Sequence, residues 1–188
     1  IRSTLNVNQA KGRYTKAYAV TLGDIVHDTP NLWDAMVETM QNVKIGSDYL
    51  PVFQCIGNHD HNAKASSDLS ATTEYVDRYG PTDYSFNRGK VHVVVMDNIV
   101  CTTTNGSTWT YDAGFSKSQY NWLKADLDAV RNKADMMVIL CCHIPFRGGS
   151  NSGGSNVNKD KYYAETLALL KEFNEAHIMI GHTHYPQN

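Results

Sequence analysis

The sequence lacks several features that would place it in other classes of protein. No apolar run approaches the roughly 18 residues that a membrane-spanning helix requires. The chain has 17 basic and 19 acidic residues and a net charge of -2, so it carries no basic excess for nucleic acid or an anionic membrane. Its four cysteines form no Cys-x-x-Cys pair, which makes a cysteine-rich structural zinc site a poor interpretation.

Two catalytic motifs are also missing. The chain contains neither the nucleophile elbow Gly-x-Ser-x-Gly nor the phosphate-binding loop Gly-x-x-x-x-Gly-Lys. The sequence therefore gives no support for a serine nucleophile or a P-loop. Its 188 residues, 41% hydrophobic and 19% charged, fit one globular domain over residues 1–188 with a sizeable core.

The cysteines leave the redox compartment open. Cys55, Cys141 and Cys142 lie in apolar stretches, so we expect them to be small buried hydrophobic residues. A disulfide that involves Cys101 stays open. The Asn-, Thr- and Tyr-rich composition favours an exported or periplasmic protein without deciding the compartment.

Four apolar stretches end in residues that bind metals. They end in Asp24, in Gly57-Asn58-His59-Asp60, in His143, and in His182-Thr183-His184. Continuous apolar runs are typical of strands buried on both faces, and open α/β sheets bind ligands at the carboxyl ends of such strands. If these ends converge, they form a metal site, and we expect two ions. The predicted ligands are Asp24, Asn58, His143, His182 and His184.

The residues between these stretches predict an α/β fold. Thr29-Pro30 is a helix start followed by an apolar stripe to Met40, so the strands at 17–23 and 51–56 should be parallel. The other predicted elements are a helix at 70–79, a hairpin of strands at 84–86 and 91–100, an irregular segment at 101–114, a capped helix from Ser116, a strand at 136–142, a helix at 160–174 and a strand at 177–181. The Gly- and Ser-rich segment 147–158 is either a lid or an ordinary surface loop.

The ordered motifs resemble those of the calcineurin-like metallophosphoesterases. That signature runs Asp-x-His, Gly-Asp, Gly-Asn-His-Asp/Glu, a lone His and Gly-His-x-His. The chain has the last four in that order, as Gly23-Asp24, Gly57 to Asp60, His143 and Gly181 to His184. The resemblance spans nearly the whole chain and implies a central mixed β-sandwich flanked by helices, in four αββα layers. It also implies hydrolysis of a phosphate mono- or diester by a hydroxide that bridges two divalent ions of Mn, Fe or Zn.

The resemblance further implies a role for each residue of the site. Asp24 would bridge the ions, with Asn58, His143 and His182 on the second ion and His184 on the first. His59 would face the substrate, and Asp60 would hydrogen-bond to His59. Because alternate positions of extended backbone share a side, His182 and His184 should face the same site. Arg147 is either a bidentate contact for phosphate or a free surface charge.

One departure from the family pattern concerns the opening Asp-x-His motif, which the chain does not contain. We expect that motif, with its strand, upstream of Ile1, and the first metal site to be incomplete without it. A non-catalytic metal-binding or interaction domain on a phosphoesterase scaffold is therefore the alternative to an enzyme.

The remaining histidines and loops carry no assigned chemistry. His27 and His61 are expected in solvated loops, and His92 and His177 are expected to be structural. Substrate specificity would come from residues 61–69, 101–115 and 147–159, which contain no readable code.

Overall fold

The computed structural model describes residues 17–104, 109–146, 156–157 and 162–184. The strands are β1 Ala19–Val20, β2 Lys44–Ile45, β3 Asp48–Tyr49, β4 Val52–Phe53, β5 Tyr84–Arg88, β6 Val91–Val95, β7 Ile99–Thr104, β8 Trp109–Ala113, β9 Met137–Cys141, β10 Asn156–Val157 and β11 Glu175–Met179. The α-helices are α1 Trp33–Gln41, α2 Asp68–Ala71, α3 Thr73–Tyr79, α4 Lys117–Ala129 and α5 Tyr163–Leu170. Short 3-10 turns cover Pro30–Leu32, Asn58–Asp60 and Lys133–Asp135.

A four-stranded mixed sheet forms the centre of the fold. Its order is β11-β9-β6-β5, with β6, β9 and β11 parallel and β5 antiparallel to β6. Alternate residues of a strand point to opposite faces. Val93 and Val95 therefore belong to one buried cluster, whereas Val94 belongs to another. Both faces of the sheet are thus buried, which explains its continuous apolar runs.

Different layers cover the two faces of this sheet. Strands β1 and β4, which are parallel as predicted, pack over one face through Val20 and neighbouring residues. Helices α4 and α5 cover the other face, where Leu127 and Leu170 are buried. Trp33 of α1 and Tyr75 of α3 pack beyond β4 against Ile56. This order of helices, two sheets and helices confirms the expected mixed sandwich flanked by helices.

Helix α4 begins at the predicted capping box. The Ser116 hydroxyl accepts the amide hydrogen of Gln119 at 3.2 Å, and the Gln119 side chain accepts that of Ser116 at 2.9 Å. These two bonds satisfy amide groups that have no partner within the helix. The sequence signal and the local structure agree here.

Three sequence predictions beyond residue 90 are wrong. The expected strand 91–100 is interrupted at residues 96–98, so β6 and β7 lie in different sheets. Part of the segment expected to be irregular forms β7 and β8, an antiparallel pair with a register shift between Cys101 and Thr103. Strand β10, inside the segment expected to be a loop, pairs with β8 in parallel.

The structure also bears on the cysteines and on membrane insertion. None of the four cysteines forms a disulfide, and Cys55, Cys141 and Cys142 are buried as expected. Among the helices of the described ranges, none is long and apolar enough to span a bilayer.

Candidate metal centre

Four predicted ligands lie where parallel strands end. Asp24 follows β1, and Asn58 lies in the turn after β4. His143 follows β9, and His182 follows β11. Because β1 is parallel to β4 and β9 is parallel to β11, the carboxyl ends of each pair lie at the same edge. The layered packing brings the two edges together.

The ligand atoms of these residues converge. Carboxylate or ring-nitrogen atoms of Asp24, His143 and His182 all lie within 4.8 Å of one another. The Asn58 Oδ1 atom lies 2.9 Å from His143 Nε2 and 2.9 Å from His182 Nδ1. His143 Nε2 is also 3.1 Å from His182 Nδ1 and 3.2 Å from Asp24 Oδ2. His143 Nε2 is thus the shared neighbour of the three other ligand atoms.

The protonation of His143 shows that this arrangement fits a cation. Its Nδ1 lies 2.6 Å from the Leu22 carbonyl oxygen, which can only accept, so Nδ1 carries the hydrogen. In the neutral ring, Nε2 then offers a lone pair to the oxygen and nitrogen atoms around it. Facing lone pairs repel one another, whereas atoms bound at about 2.0–2.2 Å to one ion lie about 3 Å apart. One divalent ion would satisfy all four side chains.

Two glycines permit this close approach of loops. Gly23 has a φ of 89°, in the region that disfavours residues with a Cβ atom. A Cβ atom on Gly57 would lie 2.2 Å from the amide nitrogen of Asp24 and 2.3 Å from its Oδ1 atom. The glycines of the Gly-Asp and Gly-Asn-His-Asp motifs are therefore required by contact between the loops.

Asp24 is held as a carboxylate. Burial raises the pKa of this group, but without an ion the hydrogen bond and charge of a protonated His143 ring, together with the amide of His59, lower it by more. The pKa of Asp24 is consequently lowered. Asp24 Oδ1 accepts the His59 amide hydrogen at 3.1 Å, while Oδ2 faces His143.

His59 has a different partner from the one expected. Its Nδ1 atom lies 2.6 Å from Asp28 Oδ2, and its ring lies 4.3 Å from the ring of His27, between centroids. His27 is exposed, as expected of a loop residue, but it lies against a residue of the site. No sequence motif pointed to Asp28 as a partner of His59.

The expected hydrogen bond from Asp60 to His59 is wrong. Asp60 is buried, and its Oδ1 atom accepts the amide hydrogens of Ile25 at 2.6 Å and Val26 at 2.9 Å. Its Oδ2 atom accepts that of Gly57 at 2.8 Å. Burial raises the pKa of Asp60 despite these three donors. Asp60 therefore joins the loop after β1 to the turn after β4.

The last motif is not extended as expected. His182 and His184 have φ values of 65° and 54°, and the Thr183 amide bonds to the Gly181 carbonyl at 2.8 Å. The alternation of side chains along an extended strand therefore does not determine where the two imidazole rings lie. His182 lies in the converging group, with the Tyr111 ring edge-on at 6.4 Å. His184 is exposed and outside that group, and its predicted metal contact stays a prediction.

Other predicted residues also have definite positions. His61 is buried, so the expected solvated position is wrong. His92 is buried between Asn87 and Asp126, as expected of a structural residue. His177 is exposed on β11, 2.6 Å from Glu175. Arg147, the candidate phosphate contact, lies outside the described residues.

A cavity of about 220 Å³ lies beside His59. Its lining includes apolar Trp33 and the charged side chains of Asp28, Lys64 and Glu74. The cavity shares His59 with the ligand-bearing turn.

Comparisons with known proteins agree with this geometry. The family model for calcineurin-like phosphoesterases matches residues 4–186, so the chain belongs to that family. The structure is similar to that of a purple acid phosphatase, PPD1, from seeds of yellow lupin (Lupinus luteus), with a TM-score of 0.56 and 14% sequence identity. That match covers 96% of this chain and 32% of the lupin chain, so this chain spans about a third of that protein. No curated protein matches the chain.

Membership of this family supports a metal-dependent phosphoesterase in general terms, and the structural similarity supports the fold. The converging ligands of Asp24, His143 and His182 are consistent with the divalent ions that the family implies.

Proposed function

We propose that the protein hydrolyses a phosphate mono- or diester at a centre of divalent ions, Mn, Fe or Zn. The convergence of Asp24, Asn58, His143 and His182 at the ends of four strands carries this proposal. These residues would hold one ion, and Asp24 and His184 would contribute to a second. An ion held there would supply a Lewis acid for a phosphoryl oxygen and would lower the pKa of a bound water to about 7.

His59 supplies the acid in this proposal. With Asp28 on Nδ1, its Nε2 atom is the nitrogen left to face the substrate. A hydrogen on Nε2 can stabilise charge on the phosphate or pass to the leaving oxygen. Asp60 acts indirectly, because it holds the turn that carries His59.

The cavity beside His59 is the proposed position of the leaving group. Its volume of about 220 Å³ suits a small organic group rather than a macromolecule. Trp33 offers an apolar surface, while Lys64 and Glu74 offer charges of both signs. We therefore propose a small-molecule phosphoester as the substrate.

The test is hydrolysis of an aryl phosphate monoester and an aryl diester with added Mn²⁺, together with metal content per chain. We expect hydrolysis of at least one ester, and its loss in His143→Ala together with bound metal. His177→Ala, at an exposed histidine outside the site, is the matched control and should behave like the unsubstituted protein. Hydrolysis that persists after chelation or in His143→Ala would contradict the proposal.

A non-catalytic metal-binding domain is the second candidate. The observation that favours it is that the converging group in the described ranges contains the ligands of one ion, with His184 outside. This candidate predicts metal binding that depends on His143 without hydrolysis of either ester. Metal content and hydrolysis, measured on one sample, separate the two functions.

A further inference from the structure

We infer that Asp97 and Asn98, which link β6 to β7, are positioning residues that hold two metal-binding loops against each other. The inference rests on the proposed function, because it concerns the same metal centre. Neither residue belongs to the ligand motifs. Both are buried, with 6% and 0% of their surface exposed.

Asn98 holds the backbone on both sides of His143. Its Oδ1 atom accepts the amide hydrogens of His143 at 3.1 Å and Ile144 at 3.0 Å. Its Nδ2 atom donates to the Ile144 carbonyl at 2.7 Å and to the Tyr163 hydroxyl at 3.0 Å. The amide thus uses both donors and both acceptor sites. The direction of the His143 ring depends on the backbone that this side chain fixes.

Asp97 holds the other loop through His61. Asp97 Oδ2 lies 3.2 Å from His61 Nε2, and His61 Nδ1 lies 2.9 Å from the Gly57 carbonyl oxygen. Both ring nitrogens face acceptors, so the ring bridges the carboxylate and the turn. Gly57 directly precedes Asn58, whose amide oxygen faces His143. Asp97 thereby sets the position of a ligand 39 residues earlier in the chain (97 minus 58).

The linking residues are themselves fixed from a third direction. The Asp97 amide donates to Asp83 Oδ1 at 2.9 Å, and Gln119 of α4 donates to the Asp97 carbonyl at 2.7 Å. Asp97 Oδ1 also accepts the Ile99 amide hydrogen at 2.9 Å. Because these bonds fix residues 97 and 98, their two adjacent side chains can hold the ligand atoms of Asn58 and His143 2.9 Å apart. Mutation of a residue that orients a metal ligand typically lowers metal affinity by 10–100-fold.

A purely structural role is the competing explanation, and the fold offers a matched control. His92, like His61, is 3% exposed and lies between an aspartate and a second acceptor. Its partners are Asp126 at 2.9 Å and Asn87 at 2.8 Å. That group joins β6 to α4 and contains none of the converging ligands. His61→Asn and His92→Asn therefore remove equivalent buried imidazoles.

The experiment measures Co²⁺ affinity, the visible spectrum of bound Co²⁺ and the free energy of unfolding. We expect His61→Asn and Asn98→Ala to weaken Co²⁺ binding about 10–100-fold and to alter the spectrum. His92→Asn should lose stability with affinity and spectrum unchanged. If Asn98→Ala does not fold, Tyr163→Phe removes one partner of Asn98 and should weaken binding to a smaller extent.

Each outcome decides one question. If the unsubstituted protein binds no Co²⁺, Mn²⁺ or Zn²⁺, the proposed function fails and this inference fails with it. If it binds metal, but His61→Asn and Asn98→Ala weaken binding no more than His92→Asn does, the positioning role alone is overturned. Weaker binding in His61→Asn without an effect in His92→Asn supports it.

Discussion

Among single residues, Asp28 has the most direct influence on the chemistry proposed for His59. Asp28→Asn keeps the shape of the side chain but removes the charge 2.6 Å from His59 Nδ1. We expect kcat to fall about 10–100-fold, a part of the 10²–10⁴ that general acid–base catalysis contributes. Metal content should stay unchanged, because Asp28 is not in the converging group. Steady-state kinetics and metal analysis of one preparation test this.

Asp34→Asn is the control for that substitution. Its carboxylate is exposed and lies 3.4 Å from Arg78, away from the site. Exposed pairs of this kind contribute little, so kcat should match that of the unsubstituted protein. Equal kcat values for both variants would remove Asp28 from the mechanism.

Gly57 tests whether contact between loops determines the motif. Its φ of -116° suits any residue, so Gly57→Ala meets a steric obstacle without backbone strain. The added methyl group would overlap the Asp24 backbone, and we expect a loss of about 1–3 kcal/mol in unfolding free energy together with loss of metal binding. Denaturant unfolding and metal titration measure the two effects.

Gly89→Ala is the matched glycine substitution. Gly89 has a φ of 61°, and a Cβ atom there would meet nothing within 4 Å. The cost is left-handed strain of about 1–2 kcal/mol, with no route to the metal centre. Metal affinity that falls equally in both variants would argue against the steric explanation for Gly57.

Single-residue assignments could be predicted where they depend on motifs and not where they depend on distant partners. Asp24, Asn58, His143 and His182 converge as their positions after apolar runs indicated. The partner of His61 lies 36 residues away and that of His59 lies 31 residues away. One sequence contains no signal for such pairs.

Among the secondary-structure elements, the junction of β6 and α4 determines part of the pH dependence. Asp126 of α4 pairs with His92 of β6 at 2.9 Å and accepts from Ser85 at 2.7 Å. Burial raises the pKa of Asp126, but these hydrogen bonds lower it by a larger amount, so the pKa in the folded protein is depressed. The stabilisation is complete above the unfolded pKa of about 3.9 and is lost as pH falls through the folded pKa.

Asp126→Asn should therefore flatten the loss of stability below about pH 4 and reduce the unfolding free energy at pH 7 by about 1–3 kcal/mol. Asp128→Asn, on the same helix, removes an exposed carboxylate paired with Lys124 and should have a much smaller effect at pH 7. Unfolding curves from pH 2 to about 7 check both variants. If the unfolding free energy of Asp126→Asn falls with decreasing pH as it does in the unsubstituted protein, other carboxylates control this loss.

The errors in predicting elements have local physical causes. The end of β6 at Val95 was not predicted because the apolar run from Val93 continues to Met96. Just beyond it, the Asp97 side chain accepts the amide hydrogen of Ile99. Such a bond to the residue two positions on is typical of Asx turns, so the Asp-Asn dipeptide was the available signal. The strand β7 was partly missed because its own residues 102–104 are threonines, Asn105-Gly106 follows it in the sequence, and its stability comes from pairing with β8.

In the whole molecule, the candidate metal centre connects strands of two sheets. Asp24 and Asn58 follow the β1–β4 pair, and His143 and His182 follow strands of the four-stranded sheet. Unfolding separates these four candidate ligands, so an ion held by them would bind the folded state preferentially. Free metal at 100 times its dissociation constant should stabilise the fold by about 2.7 kcal/mol.

Thermal unfolding with Mn²⁺ or Zn²⁺, and again with excess chelator, measures this linkage. We expect the midpoint to rise with metal concentration and to return to the metal-free value on chelation. Asn58→Ala should abolish the shift, because it removes the ligand that lies 2.9 Å from both His143 and His182. Asn42→Ala, at an exposed asparagine after α1, should retain it. A shift that persists in Asn58→Ala would place the stabilising ion elsewhere in the protein.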